Sequence, residues 1–565
     1  VKAALATTLP VLALLVPAVA VAGEGAGFPD RYWAAIPAPK KVVIAPAPET
    51  LSFAEAVVVQ TLSGLVARSS TARGRRELIW IERPGSPSYE EWYRRCKARL
   101  EFEVVTEKHD VWALVRRFAK RGIVKGYVLY RKDPSRRGPY EGAPRDVSLN
   151  LATSLCSVRP VVAVEASLEE KAKGAGLVMR EDVRDRDERW LLKRHGAAFS
   201  KIVLGSIDPL TPIARDAAVA NRALVSRGPL GFDRLDPGAA VLGWGFGDEA
   251  GFTRRATVRG AFQTATNWCF NLPLLSAGDT GLAYRVQDRK EAPVRSEGRD
   301  DPDTRYVAFL LSDGDNVQWA MSGYLRGEAG RHYWGSPDRG RIPFGWGLPV
   351  VDLLQLCPYA LDYVAETATS RDDLVLYGAG GYYYPDLFAS ERKERRVLAR
   401  HARRTWRYMQ AAHIDKMALI AMDWDGEAAR SAYREYAREM PGLEAIFAMQ
   451  YYPYSAGGGR VLRIGRKRGP DLLVISPRFS LWANRGDTNR AGTPDEIAGE
   501  INRWAAGPAR SPEDRVALII VHAWSWFEEG GVKARGYRPA LWCARRLEGN
   551  VRVCTPAELA DRLKK

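Results

Sequence analysis

The chain has 565 residues, 46% of them hydrophobic and 27% charged, with 84 basic against 67 acidic side chains and a formal charge of +17. That length exceeds one ordinary core and calls for two or more domains, and the composition excludes a disordered or fibrous chain. The basic residues fall in short scattered groups (Arg73–Arg76, Arg392–Arg404, Arg466–Arg468), which speaks against nucleic acid as a partner and fits attraction to anionic glycans or a negatively charged envelope.

Residues 1–22 read as a signal peptide. Lys2 gives a basic start, Leu9 to Val21 form an apolar run broken by Pro10 and Pro17, and Ala20-Val21-Ala22 supplies the small residues of a cleavage site. The run is short for a membrane span, and no later segment is apolar enough for one. A secreted or periplasmic protein is expected, with no membrane span after cleavage. Residues 23–40, rich in Gly, Ala and Pro, form a linker able to pack onto the body.

From Val42 onward, strands alternate with helices. Apolar residues from Phe53 to Val66 recur at helical spacing; Leu78–Ile81, Gly126–Tyr130, Val161–Val164 and Ile202–Leu204 are short buried-strand runs. Tyr89–Leu100 and Asp110–Lys120 are helical between them. This is an N-terminal α/β domain over 41–230, with an open, mostly parallel sheet. It has neither a G-x-G-x-x-G after a strand nor a P-loop, so nothing calls for a nucleotide or other organic cofactor.

Gly228–Gly238 marks a boundary, and Gln287–Asp303 reads as an exposed polar loop. Over 231–565 eight strand runs follow: Val307–Leu311, Ile342–Trp346, Leu374–Tyr377, Ala418–Met422, Ile446–Met449, Leu472–Ile475, Ala517–Val521 and Val551–Val553. Helical segments Leu353–Thr367, Glu391–Gln410, Glu427–Arg438 and Pro494–Ala506 separate several of them. The pattern predicts a (β/α)8, TIM-like barrel, or an irregular or incomplete one in which Val241–Trp244 adds or replaces a strand.

Six cysteines are widely spaced without a C-x-x-C, so buried free thiols are expected for most of them. Cys543 and Cys554 are the only pair close in sequence. The six histidines include no H-x-x-x-H, which disfavours a histidine-built metal site.

Chemistry gathers where these strands end. Asp313, Asp315, Asn316 and Trp319 follow the first, Trp346 closes the second, and Tyr382 and Tyr384 follow the third. Asp423, Trp424 and Asp425 follow the fourth, and His522 and Trp524 the seventh. Parallel barrels place their reactive groups at such ends. Flat rings cover the C–H faces of sugars, carboxylates and amides take their hydroxyls, and two carboxyl groups suffice to hydrolyse a glycosidic bond. Each piece also has a plainer reading. Asp313-Gly314-Asp315-Asn316 is good turn chemistry, or a set of oxygens for a hard cation without EF-hand spacing. Asp423–Gly426 serves as a helix start, Tyr382–Pro385 as loop packing, and His522 as a core histidine.

Gly381-Tyr382-Tyr383-Tyr384-Pro385 resembles the signature of the GxGYxYP family, classed as glycoside hydrolases. The likeness extends to Asp313–Asn316 with Trp319, Trp334…Pro337–Gly340, Gly345-Trp346, Thr493–Glu496 and His522–Trp526. It implies an α/β domain ahead of the motif and a sugar-processing context. The signature's first glycine falls on Ala379, so that position cannot require a glycine-only conformation.

The expected protein is therefore a glycosidase acting on an oligo- or polysaccharide. Asp313 or Asp315 is one catalytic carboxylate and Asp423 or Asp425 the other. Asn316, Trp319, Trp346, Tyr382, Tyr384, Trp424, His522 and Trp524 bind the sugar. The competing readings are a carbohydrate-binding protein without chemistry, and metal-assisted deacetylation or lyase action through Asp313, Asp315 and His522.

Overall fold

The computed structural model describes residues 28–105, 110–132, 146–245, 247–291, 303–394, 396–483 and 490–564. The signal peptide expected over 1–22 lies outside the described residues, as do the first residues of the linker. No described helix is long and apolar enough to cross a membrane.

The N-terminal half builds three small parallel sheets where one was expected. In the first, β1 (Lys41–Ala45) lies between β2 (Glu77–Ile81) and β3 (Glu103–Val105). In the second, β4 (Tyr127–Tyr130) lies between β5 (Val162–Glu165) and β6 (Met179–Asp182). The third contains β7 (Val203–Gly205), β8 (Leu224–Val225), β9 (Ala240–Leu242) and β10 (Phe262–Thr264) in the order β10-β9-β7-β8. The Val241–Trp244 run thus supplies β9, paired to β7 and β10 and not to the later strands.

The helix Phe53–Arg73 runs between the sheets and is buried on most sides. Gly64 lets it touch the helix Arg215–Ala220, since a Cβ there would lie 2.4 Å from the Asp216 carbonyl oxygen. A capping box starts it: the Ser52 hydroxyl accepts from the Glu55 N–H, and the Glu55 carboxylate accepts from the Ser52 N–H. Ser52→Ala should therefore cost about 1 kcal/mol, read as a lowered thermal midpoint with unchanged helix content.

The C-terminal half is one large sheet. Its strands are β11 (Arg305–Leu311), β12 (Phe344–Leu348), β13 (Asp372–Tyr377), β14 (Lys416–Ala421), β15 (Ala445–Gln450), β16 (Val461–Ile464), β17 (Leu472–Ile475), β18 (Phe479–Leu481), β19 (Ala491–Gly492) and β20 (Val516–Val521). A hairpin, β21 (Phe527–Glu529) with β22 (Val532–Ala534), and a short β23 (Val551–Val553) follow. The hydrogen-bonded order is β16-β17-β15-β14-β13-β12-β11-β20-β18-β19, parallel except for β16.

This sheet curls around a core of its own. Tyr306, Ala308 and Leu310 of β11 meet Val375, Ala418, Ile420, Phe447, Met449, Leu473, Leu518 and Ile520 from the other strands. Leu559, Ala560 and Leu563 of the helix Pro556–Lys564 join this core, as do Tyr377, Tyr382, Tyr384 and Tyr454 from the carboxyl edge. Each of the eight expected strands is found, yet they make a curled half-barrel and not an evenly paired ring of eight. β23 pairs only with the first three residues of β11. β17 pairs with β15, and β18, three residues later, pairs with β20. Pro477 causes the switch: it has no N–H to donate, and around it Ser476 N bonds to Arg460 O while Arg478 N bonds to Leu518 O.

The halves share one continuous core. Residues 28–40 pack onto the body, with Tyr32 Oη donating to Asp352 Oδ1 at 2.5 Å and Trp33 Nε1 to Ser276 Oγ at 2.6 Å. All six cysteines are buried and free.

Candidate active site

The loop after β11 is built by close backbone contact. A Cβ on Gly314 would lie 2.4 Å from the backbone of Gly347 in β12, so only glycine lets the loop fold over that strand end. Asp313 takes φ +60°, a conformation that Asp tolerates better than most residues. Asn316 caps the turn Val317–Trp319, accepting from the Trp319 N–H at 3.2 Å. The turn chemistry read from the sequence is thus real, and it serves to present carboxyl groups. Asp313 Oδ1 accepts from Trp524 Nε1 at 2.8 Å, and its Oδ2 accepts from the Ser312 hydroxyl. The same hydroxyl accepts from Ala523 N at 3.1 Å, which ties the β11 and β20 loops together.

Asp315 is 9% exposed and packs against Gly378. Beyond its own backbone, its carboxyl has no hydrogen-bond partner among the described residues. Burial pushes its pKa well above the usual carboxylate value, and the nearby charges of Asp313 and Glu249 push the same way.

The loop after β13 carries the tyrosines. Tyr382 pairs with Gln263 of β10 in both directions, Gln263 N to Tyr382 O at 2.9 Å and Tyr382 N to Gln263 O at 3.0 Å. In an extended segment alternate side chains face opposite ways. Tyr382 and Tyr384 accordingly lie together, hydroxyls 3.5 Å apart, while Tyr383 turns away to meet the Tyr436 hydroxyl at 2.7 Å. Ala379 has φ +53°, so the position does lie in the left-handed region that glycine favours. Alanine bears that conformation at roughly 1–2 kcal/mol. Its carbonyl is anchored by the Tyr383 and Thr405 hydroxyls, each at 3.2 Å.

Glu249 is the residue that the strand-end pattern of the barrel did not reveal. It opens the helix Glu249–Thr257 in the N-terminal half, and its Oε1 accepts from the Tyr382 hydroxyl. The residue is exposed, while its carboxyl, bonded to the buried Tyr382, is crowded by protein. That crowding raises its pKa; the Tyr382 bond opposes the rise and the Asp313 charge adds to it. A signal existed: Gly243-Trp244-Gly245-Phe246-Gly247-Asp248-Glu249 follows β9 and repeats the glycine, aromatic and acid mixture of the other strand ends. Trp244 meets Tyr382 edge-on, ring centroids 5.8 Å apart.

Aromatic rings form the opposite wall. Trp319 packs at 4.6 Å on Trp524. His522 stacks on Trp482 at 4.3 Å, its Nδ1 lies 2.8 Å from the Ser525 hydroxyl, and Tyr454 packs on Trp482 at 4.6 Å. Tyr454 and Tyr377 both feel the charges of Asp313 and Asp315, which with burial push their hydroxyls well up. Tyr377 and Trp244 were not among the expected site residues.

Four expected residues are engaged elsewhere. Trp346 is fully buried on the outer side of the sheet, its Nε1 donating to Asp372 Oδ1 at 2.7 Å and its ring stacked on Tyr537. Asp425 is ion-paired with Arg430 and with Arg460, which also covers the buried Trp424. Asp423 is exposed, and its N–H donates to Asp386. Asp423 and Asp425 thus have partners of their own, whereas Glu249 is the carboxyl that feels the charge of Asp313. Asp425→Asn should leave any glycan turnover within about threefold of wild type, because two exposed or half-exposed ion pairs are worth little. A loss of a hundredfold in initial rate would restore Asp425 to the site. No group of three or more His, Cys, Asp or Glu able to hold a metal occurs among the described residues.

The architecture defines a class: an α/β protein with acids and aromatic rings gathered at the carboxyl edge of a curled parallel sheet, joined by a carboxyl group from the preceding sheet unit. Residues 303–564 match the domain described as "GxGYxYP putative glycoside hydrolase C-terminal domain", and residues 124–198 match "GxGYxYP_N second domain". Together they take in more than half of the chain, which belongs to the GxGYxYP family. A crystal structure of a "putative hydrolase" from Bacteroides thetaiotaomicron VPI-5482 is similar, with TM-score 0.76 and 23% identity over 95% of this chain and 97% of that one. That likeness is one of fold. No curated protein matches the chain.

Proposed function

We propose that the protein hydrolyses glycosidic bonds, with Glu249 as the acid and Asp313 as its partner carboxylate. The observation that carries this reading is that Asp313 and Glu249 come from two different sheet units yet feel each other's charge, with Tyr382 holding the one and Trp524 the other. Tyr382 fixes Glu249 Oε1 and leaves Oε2 to hold the proton. Crowding by protein favours that protonated form. Trp524 and Ser312 orient Asp313.

In the reaction Glu249 gives its proton to the leaving oxygen as the bond to the anomeric carbon breaks. Asp313 either takes a proton from the incoming water or bonds to that carbon until water replaces it. Asp315 lies buried near the two, and its carboxyl makes no side-chain hydrogen bond among the described residues. The secreted or periplasmic setting expected from residues 1–22 belongs to the same proposal, and fractionation of expressing cells tests it.

Purified protein incubated with a panel of oligo- and polysaccharides should release new reducing ends, identified by mass spectrometry. Calorimetric affinity for a glycan with no product from any of them would assign the cleft to binding alone.

A further inference from the structure

The cleft continues past its acids to a guanidinium that lacks a counter-ion. Arg535 follows β22, and its Cζ stands 4.6 Å from the ring centre of Trp526, 5.5 Å from Tyr333 and 5.7 Å from Trp524. It makes no hydrogen bond or ion pair among the described residues, and its Nε is enclosed without an acceptor. Arg538, three residues on, is paired with Asp338. One of the Arg535 nitrogens is enclosed while the rest of the group is partly open, and a planar fork of donors suits a carboxylate or sulfate in two-point contact.

Trp524 joins this group to the acids. The indole that holds Asp313 through its Nε1 lies within cation–π reach of Arg535. Trp526, 40% exposed, carries the platform outward, with Lys533 Nζ 5.4 Å from its ring centre. A sugar lying on Trp524 and Trp526 would put one edge toward Asp313 and an acidic substituent toward Arg535.

We propose that Arg535, with Trp524 and Trp526, forms a subsite for an anionic sugar, so that the substrate carries a uronate carboxylate or a sulfate ester next to the bond cleaved. The inference rests on the glycan reading of the cleft and goes beyond it by naming the charge of the substrate. The formal charge of +17 draws such polymers from a distance.

The test compares calorimetric binding of three size-matched sets: oligogalacturonates, chondroitin sulfate oligosaccharides, and neutral gluco- and xylo-oligosaccharides. Wild type should bind one of the acidic sets at least tenfold more tightly than the neutral one, and added salt should shrink that margin. Arg535→Gln should bring the margin close to one, and Arg535→Lys should restore part of it. The better acidic set identifies the anion. A margin that survives Arg535→Gln overturns the subsite. So does an equal loss for acidic and neutral sugars with a fallen thermal midpoint, which would mean that Arg535 only braces the rings. Tight neutral binding with rejection of both acidic sets overturns the subsite and leaves the glycan reading standing. Failure of wild type to bind any set removes both.

Discussion

Asp313→Asn should lower kcat on a cleaved glycan by about 10²–10⁴-fold while the folded structure persists, because the amide oxygen can still accept from Trp524 Nε1 and the amide N–H can donate to the Ser312 hydroxyl, but the amide can serve neither as base nor as nucleophile. Glu249→Gln should cost a similar factor on natural linkages. The two variants separate on an aryl glycoside, whose leaving group needs no proton: Glu249→Gln recovers most of its rate there and Asp313→Asn does not. They differ in pH dependence as well. Crowding by protein, opposed by the Tyr382 bond and helped by the Asp313 charge, raises the Glu249 pKa from its ordinary value. Wild-type rate therefore falls as pH rises through that elevated value, and the alkaline limb disappears in Glu249→Gln. Retention of that limb in the variant would move the acid role to another group.

Asp315 carries the matching stability signature. Its folded pKa is raised, chiefly by burial, above the unfolded value of about 4. The folded state thus binds this proton more strongly than the unfolded chain does. The associated stability is complete below the unfolded pKa and is lost as pH rises through the folded one. Asp315→Asn should accordingly raise the thermal midpoint at neutral pH, and the gain should vanish toward about pH 4.

Gly381→Ala should be the most damaging small substitution in the site, costing roughly 3 kcal/mol or more. Gly381 has φ +123°, and a Cβ there would lie 2.0 Å from the ring of Phe262. That ring has no room to retreat, being packed by Tyr32 at 5.6 Å and His401 at 5.3 Å, with Arg404 over its face. The displaced loop would also break the Tyr382–Gln263 pairing and carry Tyr382 off Glu249, so turnover should fall with the midpoint. Gly74→Ala is the control: φ is +63° but nothing lies within 4 Å of the added carbon, and only about 1 kcal/mol is expected. Equal losses from the two would mean that backbone strain and not the Phe262 contact dominates.

The legible part of this site lay where chemistry is local. Asp313, Asp315, Tyr382 and Trp524 each follow a parallel strand within a few residues, so strand position alone assigns them to the carboxyl edge. Side-chain direction was not local. Trp346 sits in β12 between Gly345 and Gly347, and the pleat turns those glycines to the crowded interior and the indole outward. Asp425 looked free because Arg460, which neutralises it, arrives from the β16 hairpin. Glu249 was passed over for a topological reason, since β9 pairs with β7 and β10 and its loop lies outside the sheet that seemed to own the chemistry. The sheet was misjudged at one proline, Pro477, whose missing N–H hands the chain from β15 to β20.

The double hydrogen bond between Tyr382 and Gln263 has a consequence for synthesis. Glu249 and Gln263 leave the ribosome well before Tyr382, and Trp524 follows near the end of the chain. A fragment beginning at residue 303, where the C-terminal family domain starts, would carry Asp313 and Trp524 without Glu249 and Gln263, so on the proposed roles it would have the base without the acid. On those roles, neither half can be transplanted alone.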